Sequence, residues 1–316
     1  TMILVTGASG FVGRTLVNHL ALAGHPVRAL VHPRRGMRTE QLGWPESVEV
    51  SVGDLTDAQG LHGVMQGVHT VFHLASGQWW GKRRDLQQID LEGTQNLIAV
   101  ARSARIGRLF YLSQLGAEPA SAYMLLRVKG QAEALIRNSG IAYTILRCGI
   151  IFGPEDRFVN AIAMLLRTNP IFFLQPGKGE SLLHPLYIDD LVKALDNSLE
   201  KLDLVDATIE IGGAEYVTYN EMIRTVMRVS GAKRTIISIP PHTLRNLTAL
   251  MNRFVPRWPM TPQWFDILAS NRTAKLGNLH DYCDVRPVRF EDTLLTYMPQ
   301  RHYLPELVRF MWSRGF

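Results

Sequence analysis

The sequence predicts an α/β protein: a doubly wound parallel sheet followed by a smaller, mostly helical C-terminal lobe. Two observations carry this. Short apolar runs alternate with helix-length segments through the first half of the chain, the pattern of strands buried on both faces and joined by crossover helices. A glycine-rich turn, Gly7-Ala8-Ser9-Gly10-Phe11-Val12-Gly13, sits between the first apolar run and the first helical pattern. The chain has 316 residues, 46% of them hydrophobic and 20% charged, which is enough for one large or two modest cores and excludes intrinsic disorder.

The strands read in order as Ile3–Thr6, Val27–Val31, Val48–Val52, Thr70–Leu74, Leu109–Ser113 and Tyr143–Arg147. Helical patterns fill the gaps at about Phe11–Ala23, Ala58–Gln66, Leu86–Ser103 and Met124–Asn138. Gly24 ends the first helix as a C-cap glycine, and His25-Pro26 leads into the second strand. After Gly153-Pro154 the rhythm changes. A helix over Phe158–Arg167 is followed by a Pro- and Gly-rich turn reaching Lys178, a helix over Ile188–Leu199 and a strand over Thr208–Ile211. Thr218 and Glu221 form a capping box that opens a helix ending near Gly231. The last 75 or so residues, with Phe254, Trp258, Trp264, Phe265 and Phe290 as anchors, read as a helical cap. These features divide the chain into residues 1–153, a nucleotide-binding unit, and 154–316, a lobe for substrate or partner that can cross back into the first unit.

The glycine run carries a function. Gly7 permits a tight turn, Gly10 lets the backbone approach a pyrophosphate, and Gly13 lets the helix pack against the strand. The helix start at Ser9, Phe11 and Val12 turns unpaired N–H groups and a positive dipole end toward phosphate. A loop of this kind in a βαβ context belongs to a Rossmann dinucleotide-binding domain. At the end of the second strand an NAD site carries Asp or Glu, whereas this chain has His32 followed by Arg34 and Arg35. Guanidinium groups suit a 2′-phosphate, so NADP(H) is expected ahead of NAD(H), although the arginines also read as solvated loop charges.

The Thr6–Gly13 loop, Gly53-Asp54-Leu55, His73-Leu74-Ala75 and Leu146-Arg147 with Phe152-Gly153-Pro154 together resemble the short-chain dehydrogenase/reductase superfamily in its extended (epimerase/dehydratase-like) and atypical branches. Phe152-Gly153-Pro154-Glu155-Asp156-Arg157-Phe158 and Pro185-Leu186-Tyr187-Ile188-Asp189-Asp190 resemble, more closely, the family of the 39-kDa accessory subunit of respiratory complex I. The likeness covers most of the chain, most strongly to about residue 230. It implies that Asp54 holds the adenine amino group with Leu55 against the ring. It further implies that Ala75 and Ser76, with Leu74 before them, line the ribose, and that Cys148, Gly149 and Ile150 run beside the nicotinamide. The competing readings are a turn aspartate at 54 and an ordinary buried thiol at 148.

Active members of that superfamily use a tyrosine and, four residues later, a lysine, with an upstream serine. Lys129 fits the lysine, but Leu125 stands four residues before it. Tyr123 is six residues away, about 240° round a helix axis. It reaches the site only if the segment before Leu125 is not helical; otherwise it packs or lines substrate. Ser113 is the candidate serine, although the register favours Leu115. Lys129 remains a cofactor ligand in either case. These departures leave two functions: an oxidoreductase acting on a quinone-like or other small acceptor without the usual tyrosine, or a non-catalytic nucleotide-binding accessory or assembly subunit of a membrane-associated respiratory or electron-transfer complex. In the first, the cofactor itself supplies the hydride chemistry.

The formal charge is +6 with a pI near 9.4, and the excess is expected to be spread along the chain, which argues against nucleic acid. Gln78-Trp79-Trp80-Gly81-Lys82-Arg83-Arg84 and Arg253 to Pro259 suit an anionic membrane surface or a membrane-bound complex. They also read as core tryptophans beside solvated charges. Ten histidines show no metal spacing and two cysteines no framework, so no metal is expected. Without a basic leader or a run long enough to span a bilayer, the chain is expected to be cytoplasmic, with peripheral attachment at the membrane's cytoplasmic face open.

Overall fold

A computed structural model describes residues 2–33, 42–78, 83–255 and 258–312. Seven parallel strands form the central sheet in the order β3-β2-β1-β4-β5-β6-β11: β1 Met2–Thr6, β2 Val27–Val31, β3 Glu49–Val52, β4 Val68–His73, β5 Arg108–Gln114, β6 Tyr143–Cys148 and β11 Ala207–Ile211. The order runs outward in both directions from β1 and β4, so the topology switches there, where open α/β sheets bind their ligands.

Helices cover both faces. On one lie α1 Phe11–Leu22, α7 Ile188–Asn197 and α11 Asn278–Cys283. On the other lie α2 Ala58–Val64, α4 Gly93–Ser103 and α5 Met124–Arg137. In α1 the buried residues Gly13, Leu16, Val17 and Leu20 follow helical spacing and meet Leu191, Val192 and Leu195 of α7 in one core. The helix ends as expected: Gly24 takes φ +88°, and the amides of Gly24 and His25 bond to the carbonyls of Ala21 and Leu20, a Schellman closure.

The expected helix over Leu86–Ser103 is interrupted. A short α3 (Arg83–Leu86) runs into a π-turn over Gln87–Glu92 before α4 begins. That extra-wide turn aims Asp90, fully buried, inward.

Beyond β6 the chain builds the lobe and then returns to the sheet. The lobe core packs α6 Val159–Thr168, α8 Tyr219–Val229, α10 Pro262–Leu268, α12 Phe290–Tyr297 and α13 Tyr303–Trp312 around Phe158 and Trp264, whose ring centroids lie 4.3 Å apart. The Thr218–Glu221 capping box is formed. Three small ribbons brace the lobe: β7 Ile151–Phe152 with β10 Leu186–Tyr187, β9 Leu182–Leu183 with β12 Val217–Thr218, and β8 Phe172–Pro176 with β13 Thr235–Ile239. The stretch read as a Pro- and Gly-rich turn thus contains a strand, Phe172–Pro176, because Thr235–Ile239 offers it a parallel partner 63 residues on. The remaining helix is α9, Pro241–Phe254.

Candidate dinucleotide site

A cavity of about 510 Å³ opens at the carboxyl ends of the sheet strands. Its floor is the loop after β1. Gly7 takes φ +67°, and a Cβ on it would lie 2.7 Å from the Ala75 backbone; one on Gly13 would lie 2.2 Å from the Gly7 carbonyl oxygen. Both glycines are therefore required by close backbone approach. Gly10 is different: it caps α1 in extended conformation with no side-chain cap, and the first turn holds no acidic residue. The amides at the start of α1 are left facing the cavity with the positive end of the helix dipole behind them, a seat for a pyrophosphate.

The expected binding residues among the described ones gather round this cavity: Ser9, Gly10, Phe11, Val12 and Gly13 with Gly7; His32 after β2; Asp54 and Leu55 after β3; Leu74, Ala75 and Ser76 after β4; Cys148 at the end of β6 with Gly149 and Ile150 after it; and Lys129 from α5. Arg34 and Arg35 lie outside the described residues, as do Trp79, Trp80, Gly81 and Lys82. Asp54 turns one carboxylate oxygen to the Thr56 amide at 2.9 Å and the other toward His32 Nδ1 at 3.5 Å. It is thus a turn aspartate that also faces the cavity. Cys148 is buried and burial pushes its thiol well above the usual range, so it packs as an inert wall.

The three catalytic candidates separate. Lys129 is buried with Nζ 3.0 Å from Asp90 Oδ1 and 3.5 Å from the Leu112 carbonyl. Burial, the largest single influence, lowers its pKa, but the Asp90 carboxylate and the Tyr111 hydroxyl together outweigh it and the net shift is upward. Asp90 Oδ2 accepts the Gly77 amide at 2.7 Å, which ties the lysine to the loop after β4. Ser113 lines the cavity, yet its hydroxyl donates to Glu133 Oε1 at 2.5 Å. That buried carboxylate also receives Arg147 Nε at 2.9 Å and Arg137 at 2.7 Å. Ser113 is therefore engaged in a structural network. Tyr123 is the N-cap of α5, 37% exposed, and does not line the cavity. Leu125 is fully buried in the lobe-side core. The expected serine and tyrosine roles do not come together here.

Two groups to which the sequence reading assigned no role sit beside this centre. His73, at the end of β4, is held between Thr6 Oγ1 at 2.7 Å and Thr94 Oγ1 at 2.9 Å. Thr94 donates its own hydrogen to the Asp90 carbonyl at 2.6 Å, so Nε2 carries the proton and Nδ1 accepts from Thr6. Burial and the nearby Lys129 push its pKa down to about 3, so the ring is neutral. Asp156, on the lobe side of the cavity, accepts the amides of Phe158 and Val159 at 2.8 and 2.6 Å. Burial nevertheless raises its pKa to about 6. In the sequence His73 follows an apolar strand run, and Asp156 stands in the charged turn Glu155-Asp156-Arg157; both belong to the motifs that carried the resemblance, which gave neither a role. Among the described residues no group of three or more His, Cys, Asp and Glu could hold a metal ion.

The glycine cradle, the open helix N-terminus and the switch-point position define a nicotinamide-dinucleotide-binding protein. Residues 7–161, just under half of the chain, match the family model described as NAD(P)H-binding, so this stretch is an NAD(P)H-binding domain. The chain is 24% identical over 260 residues to the mitochondrial NADH-ubiquinone oxidoreductase 40 kDa subunit of Neurospora crassa, covering 81% of this chain and 67% of that one. It is 25% identical to the mouse NADH dehydrogenase [ubiquinone] 1 alpha subcomplex subunit 9, over 75% of this chain and 62% of that one. A 2-alkyl-3-oxoalkanoate reductase of Stenotrophomonas maltophilia is 27% identical, over 82% and 83%. The fold is shared with UDP-glucose 4-epimerase of Thermotoga maritima, at TM-score 0.74, 18% identity, and coverage of 98% and 100%. The resemblance read from the residues, to the complex I subunit family within a reductase and epimerase superfamily, is borne out.

Proposed function

We propose that this chain is an NADP(H)-binding oxidoreductase-fold protein that holds its dinucleotide without a tyrosine proton donor. One observation carries the reading: the cradle and Lys129 line one cavity, while Leu125 is buried elsewhere and Tyr123 lies outside it. Residues 1–153 serve as the nucleotide-binding unit and 154–316 as the lobe facing substrate or partner. Arg34 and Arg35, with no carboxylate at His32, support NADP(H) over NAD(H). Reduction of a quinone-like acceptor suits such a site, because a conjugated acceptor can take its proton from water. The similarity to a reductase over more than four fifths of both chains favours a retained activity of this kind.

A second reading is favoured by the complex I subunit relatives. In it the nucleotide is a retained structural element, and the chain is a cytoplasmic accessory protein, peripheral at the membrane's cytoplasmic face, that serves a membrane-bound complex. Denaturing the purified protein and identifying released nucleotide by mass spectrometry tests the common core. NADP(H) near one per chain supports retention, and an empty site that binds NADPH reversibly supports turnover and calls for a quinone panel. A protein that binds neither nucleotide overturns both.

A further inference from the structure

The net charge is far less even than the scatter of Lys and Arg suggests, because the acidic residues are missing from one region. Residues 222–265 contain seven Lys and Arg and no Asp or Glu, so this stretch of 44 residues carries +7 while the rest of the chain sums to −1. The expectation of a diffuse excess is corrected: absent carboxylates, not clustered cations, create the asymmetry.

The stretch contains most of α8, all of β13 and α9, and the start of α10. Arg228 pairs with Glu291 at 2.7 Å and Arg245 with Asp266 at 3.3 Å, each reaching a carboxylate outside the stretch. Arg224, Lys233, Arg234 and Arg253 have no carboxylate at ion-pair distance among the described residues. Three of these four, with Arg228, line a shallow surface groove beside Ile171, which is 68% exposed.

Helix α9 adds an apolar face. Leu244 and Thr248 are its buried residues. Leu247, Leu250 and Phe254 are 43%, 51% and 72% exposed. Their spacing puts them on one face, about a quarter turn round the axis from the buried one. Exposed leucines and a phenylalanine on a helix that also carries Arg253, in a stretch whose other cations Arg224, Lys233 and Arg234 lack a carboxylate partner, match an interfacial helix, whose apolar side enters the headgroup boundary while cations meet lipid phosphates. No described helix is long and apolar enough to cross a membrane. None of these residues lines the dinucleotide cavity.

We infer that α9 and the cation-rich stretch of residues 222–265 that contains it form a docking face for an anionic phospholipid bilayer. The inference rests on the peripheral-membrane reading above and names the surface and the lipid chemistry that would serve it. An acidic protein or nucleic acid would satisfy the cations but leave the aliphatic face in water, whereas an anionic bilayer satisfies both.

The test is co-sedimentation of the purified chain with vesicles of phosphatidylcholine alone and with phosphatidylglycerol added. Binding is expected only to the anionic vesicles and should weaken steeply with salt. Leu247→Ser/Leu250→Ser/Phe254→Ser should abolish it, and Lys233→Glu or Arg253→Glu should lower it roughly fivefold or more each. Unchanged NADPH binding and thermal melting in each variant shows that the fold is intact. Anionic binding that survives the triple variant overturns this surface but leaves the peripheral reading standing. Absence of binding to any vesicle overturns the lipid partner. A concentration-dependent dimer or an RNA mobility shift lost in the triple variant overturns it in favour of that occupant.

Discussion

Lys129 Nζ lies 3.0 Å from Asp90 Oδ1 with both side chains buried, and the aspartate reaches that position from a π-turn in the helix after β4. The lysine of the nucleotide cavity is thus balanced by a carboxylate of the same chain. Its charge is satisfied before any dinucleotide arrives, and its position is fixed through Asp90 to the Gly77 amide.

Removing one side of a buried ion pair leaves the other uncompensated. Asp90→Asn is expected to cost about 3–5 kcal/mol in denaturant unfolding at neutral pH, with a smaller loss in Asp90→Asn/Lys129→Met. The lysine pKa is raised by folding, so the stabilisation is fully present below 10.5 and fades only as alkaline pH climbs through the higher folded value. A single variant costing under about 1 kcal/mol would show that water already screens the pair.

The loop after β1 makes a second demand on sequence. Gly13→Ala would force a Cβ to within 2.2 Å of the Gly7 oxygen. Overpacking of this kind costs about 1–3 kcal/mol, and here it also moves the amides at the start of α1. Calorimetric titration should show loss of NADPH binding together with a lowered melting temperature. Gly10→Ala meets only the Gly7 oxygen, at 3.2 Å, and should melt near the parent temperature while still weakening nucleotide binding. Equal losses of stability in the two variants would contradict this division of roles.

What the sequence discloses depends on how local the constraint is. Each glycine from Gly7 to Gly13 answers to a contact within the loop, its helix or the neighbouring strand end, so its role is legible from spacing. The Gly24 cap and the Thr218–Glu221 box are equally local. The π-turn is not, because Gln87 to Glu92 contains no breaker and a plain helix is the natural reading. Only the tertiary pairing of Asp90 with Lys129, 39 positions on, distinguishes it. Ser113 misled for the same reason: its strand-end place suits catalysis, but Glu133 from α5 takes its hydrogen. The β8–β13 ribbon likewise depends on two distant segments meeting.

Tyr123 and Lys129 should separate in kinetics. Tyr123 is outside the cavity, so Tyr123→Phe should leave NADPH affinity, and any NADPH oxidation by a quinone, within about twofold of the parent. Asp90→Asn/Lys129→Met removes the lysine charge without leaving a buried carboxylate uncompensated and should weaken NADPH binding about tenfold or more, the scale of a lost charge-assisted hydrogen bond. A Tyr123→Phe variant that loses turnover while keeping affinity would restore the tyrosine as the acid and overturn the reading of α5 given above.

Asp156 and His73 pull the acid limb of the stability curve in opposite directions. Burial raises the Asp156 pKa from 3.8 to about 6, so the native state holds its proton more tightly than the unfolded chain. That contribution is fully present below 3.8 and is lost as pH rises through 6, a change on the order of 3 kcal/mol. His73 is lowered from 6.5 to about 3. Its contribution is present above 6.5 and is lost as pH falls through 3, since the unfolded chain binds the proton that the buried ring refuses. The two offset each other between pH 6 and 4, and the parent protein should change little there. Asp156→Asn removes the compensating term, so its unfolding free energy should fall steadily as pH drops from 6.5 to 4 under urea titration. A variant whose stability stays flat across that window would mean that His73 titrates in the folded protein, and that the Thr6–His73–Thr94 chain does not hold the ring neutral.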